Sequence, residues 1–534
     1  MMGLLSTKRR WMILSAGRMF LYLLIFLFCV TYNLPWRTQH IAVISTTYFP
    51  FSTSYPPNTM VVLFNAQKGL WPPWPLVCVS KNDTHPDEMR HYARVRYAFT
   101  PIFICGWSVY LAVCPVVERP TEFGLRDSQF SSTTVKIPYR TTTMNRRLDV
   151  VACFSPLFYN ERWQLIIPTL EIYRQLGVTL QVYYIQSMLV EILRFIQLYE
   201  RLNVTKVETW SKLSVMNLNP SNSSLLPLDY DPNAELEWRN QAAAHTDCLL
   251  NYREAAEFVI ISDIDDVLFP RLGKTFLDEF RILSSQFPAA AGFSYNRYNT
   301  ELITSNDPDD FSLSALINSA RIAREWEDPK YVVKPSYVQS VWLHWPGIMD
   351  RGYMQQVPDR LNFMVHFRNW SMVDYGASIM PRMQRSFELF QYQISDVIQP
   401  PATADIEANF RKFLKENSPG EILFDNLPRQ VRYYPLIAEC YNRIFYARAK
   451  RPQNCPGPMR CHLPPIEGLQ CALANHEQYN HKAINSRVML SNGELFFDGW
   501  GNIGPTLSYG STNVGTGPYN NFPSYFGGIP LRRR

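Results

Sequence analysis

The 534-residue sequence is poor in charge and lacks the paired cysteines of a zinc-binding protein. Only 18% of its residues are charged and 46% are hydrophobic, a balance that excludes an intrinsically disordered chain. No two of its ten cysteines have the Cys-x-x-Cys spacing of a structural zinc site. The formal net charge is only +6, and much of the excess lies in the basic clusters 8–10 and 532–534. There is no internal repeat and no basic face that would predict nucleic-acid binding.

Long hydrophobic runs are also scarce, and one lies near the N-terminus. Residues 19–30 are uninterruptedly hydrophobic, and residues 11–34 are long enough to cross a membrane with Arg18 as their one charge. Because basic residues precede this segment, the positive-inside rule predicts a cytoplasmic tail at 1–10, a signal-anchor at 11–34 and a lumenal body. A cleaved signal peptide is the alternative, although no small-x-small cleavage site follows the run. We therefore expect a single-pass type II protein of the Golgi or another secretory-pathway membrane.

Two further features agree with a lumenal body. Asn-x-Ser/Thr triplets begin at Asn82, Asn203, Asn222 and Asn369. Four cysteines cluster within residues 440–471, where Pro and Gly are frequent. This cluster indicates a disulfide-stapled region in an oxidising compartment, and free buried thiols are the alternative.

Composition and periodicity divide the body into four parts. Residues 35–145 are predicted to form a stem and a small β-rich module, residues 146–400 an α/β domain, residues 401–497 a cysteine-containing extension and residues 498–534 a disordered tail. Within the α/β domain, strand patterns occur at 149–155, 178–185, 204–210, 258–262 and 289–295, and helix patterns at 160–176, 187–202, 234–253 and 275–287. This alternation predicts a mostly parallel, helix-covered sheet, with ligands bound beyond the carboxyl ends of its strands.

An acidic cluster follows one of these strands. The hydrophobic run 258–262 leads directly into Asp263-Ile264-Asp265-Asp266, and alternation places Asp263 and Asp265 on the same side of an extended chain. Two adjacent carboxylates repel each other unless a cation lies between them, so the pattern predicts a site for Mn²⁺ or Mg²⁺. An Asp-rich turn that caps the next helix is the structural alternative. A haloacid-dehalogenase-like phosphatase using Asp263 and Asp265 is a chemical alternative, although several predicted strands precede the cluster.

From Val150 to about Trp370 the sequence resembles glycosyltransferase family 92. The matching segments, in order, are Ser155-Pro156-Leu157 with Asn160-Glu161, Leu176-Gly177-Val178 with Tyr183-Tyr184, Gln241 through Asp247-Cys248, Asp263-Ile264-Asp265-Asp266, Lys334-Pro335 with His344, and His366-Phe367-Arg368. Asp266 departs from the family's usual Glu. The resemblance implies a GT-A fold, a UDP-sugar donor, Mn²⁺ dependence and inverting transfer of β-galactose to a glycan such as the core fucose of N-glycans.

The resemblance also suggests roles for individual residues. His366 is expected as a third metal ligand beside Asp263 and Asp265, and a core histidine is the alternative. Donor contacts are expected from Asn160, Glu161, Asp247, Lys334, His344 and Arg368. For Lys334 and Arg368 the alternative is a solvated surface position, and for Asn160 and Glu161 it is helix capping. An inverting enzyme needs a carboxylate base, for which Asp328, Asp350, Asp359 and Asp374 are equivalent candidates.

A protein without catalytic activity is the remaining alternative. Such a protein would keep a sugar-binding cleft in the lumen but transfer nothing. The presence of both Asp263 and Asp265 favours the enzyme.

Overall fold

The computed structural model describes residues 39–68, 76–84, 86–126, 133–213, 231–372, 390–444, 454–457, 461, 463, 466–482 and 486–495. Within these ranges no helix is long and hydrophobic enough to cross a membrane. The predicted anchor at 11–34 and the predicted tail at 498–534 lie outside the described residues.

The described residues form a mixed α/β structure. Its helices are α1 (Trp163–Gln175), α2 (Val190–Arg201), α3 (Gln241–Tyr252), α4 (Phe276–Gln286), α5 (Leu313–Asn318), α6 (Pro400–Glu416), α7 (Gly420–Asp425) and α8 (Tyr433–Ile444). Its strands up to the first helix are β1 (Gln39–Phe49), β2 (Thr59–Gln67), β3 (Val77–Lys81), β4 (Met89–Tyr92), β5 (Arg94–Tyr97), β6 (Trp107–Pro115), β7 (Glu122–Arg126), β8 (Val135–Lys136), β9 (Arg140–Thr141) and β10 (Leu148–Phe154). The later strands are β11 (Leu180–Ile185), β12 (Ser187–Leu189), β13 (Thr205–Thr209), β14 (Ala256–Ser262), β15 (Asp266–Leu268), β16 (Ala290–Thr304), β17 (Arg321–Val333), β18 (Val338–Val341), β19 (Pro346–Met349), β20 (Tyr353–Gln356), β21 (Met364–Met372), β22 (Phe390–Gln393), β23 (Cys471–Lys482) and β24 (Ser486–Leu495).

The central sheet is mixed, so the prediction of a mostly parallel sheet is wrong. Its strands follow the order β13-β11-β10-β14-β17-β16-β21-β15. The first four are parallel, as the alternation predicted, but β17 is antiparallel to both β14 and β16. Parallel neighbours need a crossover, usually a helix of several turns. Residues 305–320, which connect β16 to β17, contain only a 3₁₀ turn at Pro308–Asp310 and the six-residue helix α5. The chain therefore returns antiparallel.

The helix α3 is shorter than the segment predicted to be helical. The pattern at 234–253 yields short 3₁₀ turns followed by α3, which begins at Gln241. The break lies at Asn240, whose φ of 62° and ψ of 31° place it in the left-handed region. Asn tolerates this conformation better than most residues. The helical pattern of the sequence therefore runs through Asn240, although the backbone helix is interrupted there.

The two faces of the central sheet pack against different layers. On one face, Trp163 and Tyr173 of α1, Phe195 of α2 and Phe280 of α4 belong to the largest hydrophobic core. A second sheet, which we call the N-terminal sheet, has the strand order β12-β23-β24-β1-β2-β6-β5. On the other face of the central sheet, Cys248 of α3 shares a second core with strands of this N-terminal sheet. In β2, Val61 and Leu63 point into this second core while Val62 and Phe64 point into a third one. Segments 35–145 and 401–497 both contribute strands to the N-terminal sheet, through β1, β2, β23 and β24.

Disulfides are present, as the cysteine content predicted. The pairs are Cys78–Cys114, Cys105–Cys455, Cys153–Cys248 and Cys440–Cys461. Only the last joins two cysteines of the cluster at 440–471, and Cys471 is a free, buried thiol. The Cys153–Cys248 bond links β10 to α3, the two elements beside the acidic cluster.

Candidate active site

The acidic cluster lies where β14 ends, at the carboxyl edge of the parallel strands. The side chain of Asp263 is 24% exposed. Its Oδ1 accepts a hydrogen bond of 2.5 Å from Gln241 Nε2, at the start of α3, and its Oδ2 lies 2.8 Å from Lys330 Nζ. Burial alone raises the pKa of Asp263, but the Lys330 ammonium, together with a hydrogen bond from Ser155, reverses this effect, so the net pKa is lowered. Asp263 is therefore ionised and already paired with a cation of the protein.

Asp265 and His366 come together through a strand pair. The antiparallel register of β15 and β21 places Asp266 opposite His366, and the Phe367 amide donates to the Asp265 carbonyl oxygen at 2.8 Å. His366 Nε2 consequently lies 3.6 Å from Asp265 Oδ2. Burial raises the pKa of Asp265, but the contact with His366 reverses this effect and the net pKa is lowered. The structure thus brings the predicted ligands Asp265 and His366 to one point.

Asp266 completes a triad but is held by another partner. One ligand atom each from Asp265, Asp266 and His366 lies within 4.8 Å of the others. Asp266 is fully buried, and Arg297 Nη1 donates to both of its oxygens at 3.1 and 3.2 Å. Burial raises the pKa of Asp266 although Arg297 opposes the shift. Arg297 leaves Asp266 less available to a metal than Asp265.

A β-bulge on β17 supplies two more charged residues. Arg297 pairs with Glu327 and Tyr295 with Lys330, so the one residue between them on β16 lies opposite two residues, Asp328 and Pro329, on β17. In a regular strand, residues 327 and 330 would face opposite sides of the sheet. The extra residue in the Asp328-Pro329 segment turns both side chains toward the acidic cluster, as bulges beside active sites often do.

Glu327 connects the histidine to the arginine. Its Oε2 lies 3.3 Å from His366 Nδ1 and 3.1 Å from Arg297 Nη2. The His366 imidazole therefore has Nδ1 toward Glu327 and Nε2 toward Asp265. A carboxylate behind a metal-binding histidine commonly fixes the ring in this way.

The charges of this network are unequal. The network contains four carboxylates and two cations. Lys330 and Arg297 contact Asp263, Asp266 and Glu327, whereas Asp265 joins the network through His366. Burial lowers the pKa of His366, but Asp266, Asp265 and Glu327 reverse this effect and the net pKa is raised. When the imidazole is in the neutral form that binds a metal, two negative charges remain within the network of direct contacts. Carboxylate oxygens and an imidazole suit Mn²⁺, and their spacing is near the roughly 3–4 Å separation of ligand atoms around one small divalent ion. The residues present fit a divalent cation at Asp265 and His366.

His344 borders the network as a neutral side chain. Its Nδ1 lies 3.0 Å from the Pro329 carbonyl oxygen in the bulge. Burial, together with the charges of Lys330 and Arg297, lowers the pKa of His344 well below its usual value. The imidazole can accept or donate a hydrogen bond here, but it brings no positive charge to a phosphate.

Two other predicted donor contacts have structural partners. The buried Glu161 carboxylate accepts hydrogen bonds from the backbone amides of Arg432 at 2.9 Å and Tyr434 at 2.6 Å, at the start of α8. The buried Asp247 carboxylate accepts from Arg140 at 2.5 Å and from the Tyr184 hydroxyl at 2.7 Å. Both carboxylates are thus already satisfied by the protein.

The other three residues predicted to contact the donor lie at different distances from the acidic cluster. Asn160 is buried after β10, where its backbone bonds to Ser187 and Leu189. Lys334 lies over the rings of Phe293 and Tyr337, and the register of β17 places it roughly 15 Å along β14 from Asp263. Arg368 belongs to β21, but its side chain lies outside the described part of the chain.

The four base candidates are separated by the fold. Asp359 accepts from the Tyr298 hydroxyl at 2.6 Å, and Asp350 from Gln339 at 2.5 Å. Asp374 lies outside the described residues. Asp328 belongs to the bulge beside the acidic cluster, where its carbonyl oxygen accepts from Arg297 Nε at 3.1 Å.

Sequence reasoning missed the residues that hold the site together. Lys330, Arg297 and Glu327 lie inside strands, where a charged residue has no local signal for a partner. A weak signal was present in the sequence, because Lys330 directly precedes the hydrophobic run Tyr331-Val332-Val333. In the structure Lys330 is completely buried. Lys, Glu and Arg are almost never fully buried unless they are paired.

Comparison with known proteins identifies the family. The family model of glycosyltransferase family 92 matches residues 148–414, half of the chain. A family 92 protein of Caenorhabditis elegans is 34% identical over 475 residues, which cover 84% of this chain and 86% of that protein. This chain belongs to glycosyltransferase family 92. Two further family 92 proteins of C. elegans are 30% identical (65% of this chain, 68% of theirs) and 28% identical (67% and 70%).

The family 92 domain contains the whole acidic network. Asp263, Arg297, Glu327, Lys330 and His366 all lie within residues 148–414. Strands β1 and β2 and the C-terminal strands β23 and β24 lie outside it. Family membership supports a glycosyltransferase and therefore weighs against the phosphatase alternative.

Proposed function

We propose that the chain is a metal-dependent, inverting glycosyltransferase with a GT-A-like fold. It transfers a hexose, galactose from UDP-galactose, to a glycan acceptor such as fucose on N-glycans. It acts in the lumen of the Golgi or another secretory compartment, on a type II membrane anchor. The observation that carries this proposal is the acidic network at the carboxyl edge of the sheet, which lacks two positive charges and contains Asp265 and His366 as adjacent ligands.

The residues of the network have distinct roles in this proposal. Asp265 and His366 hold Mn²⁺ or Mg²⁺, which neutralises the diphosphate of the donor when bound. Lys330 keeps Asp263 ionised and oriented at the edge of the site. Arg162, whose guanidinium stacks on the Tyr434 ring at 4.2 Å, also lowers the pKa of Asp265 through its charge. Arg162 therefore adds positive charge near Asp265, on the side of the proposed metal site.

The choice of donor follows from the family resemblance. Galactose and glucose differ only in the configuration of one hydroxyl group, and no described residue is assigned to that hydroxyl. The test is to incubate the purified lumenal body with UDP-galactose, UDP-glucose and UDP-N-acetylhexosamines at equal concentration with Mn²⁺, and to measure UDP release with and without a fucosylated N-glycan.

Each outcome of that assay has one meaning. We expect acceptor-stimulated UDP release from UDP-galactose that a chelator abolishes. Preference for another UDP-sugar would overturn the donor assignment. Metal-dependent UDP binding without transfer to any glycan would instead support the sugar-binding protein without catalytic activity.

A further inference from the structure

A hairpin brings a short turn to the edge of the sheet where the acidic cluster lies. Strands β18 and β19 pair antiparallel, and residues 342–345 form the turn between them. The chain leaves the opposite edge of the central sheet at Val333, where β17 ends, and β18 then packs along α3. The Thr246 hydroxyl of α3 donates to the carbonyl oxygen of Val341, the last residue of β18, at 3.0 Å. The turn that follows therefore lies near the start of α3.

The turn contacts two segments that hold the acidic cluster. His344 Nδ1 lies 3.0 Å from the Pro329 carbonyl oxygen, in the bulge that supplies the cationic partner of Asp263. The Trp342 indole donates at 2.9 Å to Glu237, which belongs to the 3₁₀ turn leading into α3. The first residue of α3 also donates to Asp263. The turn is thus continuous with the candidate active site.

Three rings of this turn form one aromatic surface, which we call the aromatic turn (Trp342, His344 and Trp345). The ring centroids of the two tryptophans are 4.6 Å apart, and the His344 ring lies 5.5 and 5.9 Å from them. Trp345 is 43% exposed, so a large part of its indole faces solvent. Because the neutral His344 has its Nδ1 toward a carbonyl oxygen, Nδ1 carries the proton and Nε2 is an acceptor.

Hydrogen bonds fix the backbone beneath the rings. The Trp342 amide donates to the Trp345 carbonyl oxygen at 2.9 Å, and the buried Tyr331 hydroxyl contacts the carbonyl oxygens of both tryptophans. Gly347 lets β19 approach the N-terminal segment closely, since a Cβ there would collide with the Ala98 carbonyl oxygen. A ligand therefore loses little affinity to ordering of this surface, which is already held in place.

An exposed indole beside a neutral hydrogen-bond acceptor suits an uncharged sugar. The negative π face of an indole attracts the polarised C–H groups on the apolar face of a pyranose ring, and it also covers that face from water. The Nε2 atom of His344 can accept from a sugar hydroxyl group. A 6-deoxy sugar such as fucose adds a methyl group to the apolar surface.

We propose that the aromatic turn binds the acceptor glycan, with one of its sugar rings stacked on Trp345. The proposal rests on the proposed function, since it gives the acceptor of that reaction a place on the protein. The occupant follows from continuity with the candidate active site. An acceptor on the aromatic turn lies beside the bulge at Pro329, next to the residues that would hold the metal and the donor diphosphate.

The test measures binding of a fucosylated N-glycan to the full-length protein in detergent, without donor and in excess chelator. It therefore depends neither on metal nor on transfer. Trp345→Ala removes the stacking surface and should weaken binding on the order of 10- to 100-fold. Trp345→Phe keeps an aromatic face and should weaken it by less than about threefold. Saturation-transfer NMR should show the strongest contact at the sugar ring that stacks on the indole.

An exposed aromatic residue far from the turn is the matched control. Phe51 is 69% exposed and lies near the other end of α3, where Ser52 donates to Glu254 at 2.6 Å. Phe51→Ala should leave the glycan affinity unchanged. Thermal unfolding should be close to that of the wild type in Trp345→Ala, because the side chain is exposed and the hydrogen bonds of Trp345 in the turn are made by its backbone.

The transfer assay separates this proposal from the proposed function. Trp345→Ala should raise the KM for the acceptor and leave the KM for the UDP-sugar unchanged. Transfer with a wild-type acceptor KM in Trp345→Ala would overturn the acceptor assignment and leave the enzyme standing. Glycan binding that depends on Trp345, without transfer from any UDP-sugar, would overturn the proposed enzyme and leave the glycan site standing.

Three further results would overturn the glycan site. They are the absence of glycan binding by the wild type, equal weakening by Phe51→Ala, and a change of oligomeric state in Trp345→Ala at unchanged glycan affinity. The last result would show that the aromatic turn is a contact between protein chains.

Discussion

Lys330 provides a test of the charge balance in the active site. Its ammonium is completely buried, 2.8 Å from Asp263 and 3.7 Å from Asp266. Replacing it by Met keeps most of the volume but leaves buried carboxylates without one of their two cations. Breaking a buried ion pair costs about 3–5 kcal/mol. For a chain of this length 1 kcal/mol corresponds to about 1 °C, so Lys330→Met should lower the unfolding temperature of metal-free protein by roughly 3–5 °C.

The same substitution should strengthen metal binding. Removing a positive charge a few Å away makes the site more attractive to a divalent cation, by at least about tenfold in affinity if the effective dielectric constant is near 20. A thermal-shift titration with Mn²⁺ measures both effects, because a ligand that binds only the folded state raises the unfolding temperature. Mn²⁺ should therefore rescue Lys330→Met more strongly than it stabilises the wild type.

The control is a lysine in an exposed ion pair. Lys206 is 46% exposed and lies 3.2 Å from Glu200. Lys206→Met should cost less than about 1 kcal/mol and leave the Mn²⁺ response unchanged. Lys330→Met protein with wild-type stability, or with weaker Mn²⁺ binding than the wild type, would refute the charge-balance argument.

Two further predictions concern buried carboxylates. Glu327→Gln removes the charge behind His366 Nδ1 and should weaken Mn²⁺ affinity about 10- to 100-fold, as measured by the same titration; unchanged affinity would show that Glu327 does not orient the ring. Burial raises the pKa of Glu237, which accepts from the Trp342 indole, to about 7. Because this folded-state pKa exceeds the unfolded value, its stabilising contribution is complete below about pH 4.5 and is lost as pH rises to about 7. Unfolding temperatures across this range should therefore fall more steeply in the wild type than in Glu237→Gln, and parallel curves would contradict the assignment.

The parallel half of the central sheet was predictable because the hydrophobic residues of each strand and helix there recur with a clear period. Strands β10, β11, β13 and β14 all lie inside or close to the predicted segments. The position of Asp263 and Asp265 at the carboxyl edge of these strands therefore follows from the sequence alone. The antiparallel half was not predictable in the same way, since pairing direction depends on the connection between strands and not on their periodicity.

The partners of the acidic cluster were beyond sequence reasoning for a similar reason. Lys330 and Glu327 reach the site only through a one-residue bulge, which reverses the side that a regular strand would predict. Glu161 was expected near the nucleotide, but its carboxylate binds the amides at the start of α8, more than 270 positions along the chain. Long-range contacts of this kind leave no local pattern.

The most direct test of the account is Mn²⁺-dependent transfer by Asp265→Asn protein. The amide keeps the volume of Asp265 but removes the charge next to His366. Loss of one such contact should lower the rate of UDP-sugar transfer on the order of 10²–10³-fold, while the protein folds normally. Asp309→Asn, at a side chain that is 70% exposed in an ion pair with Arg429, should leave the rate unchanged. Near-normal transfer by folded Asp265→Asn protein, or full wild-type activity in excess chelator, would contradict the account.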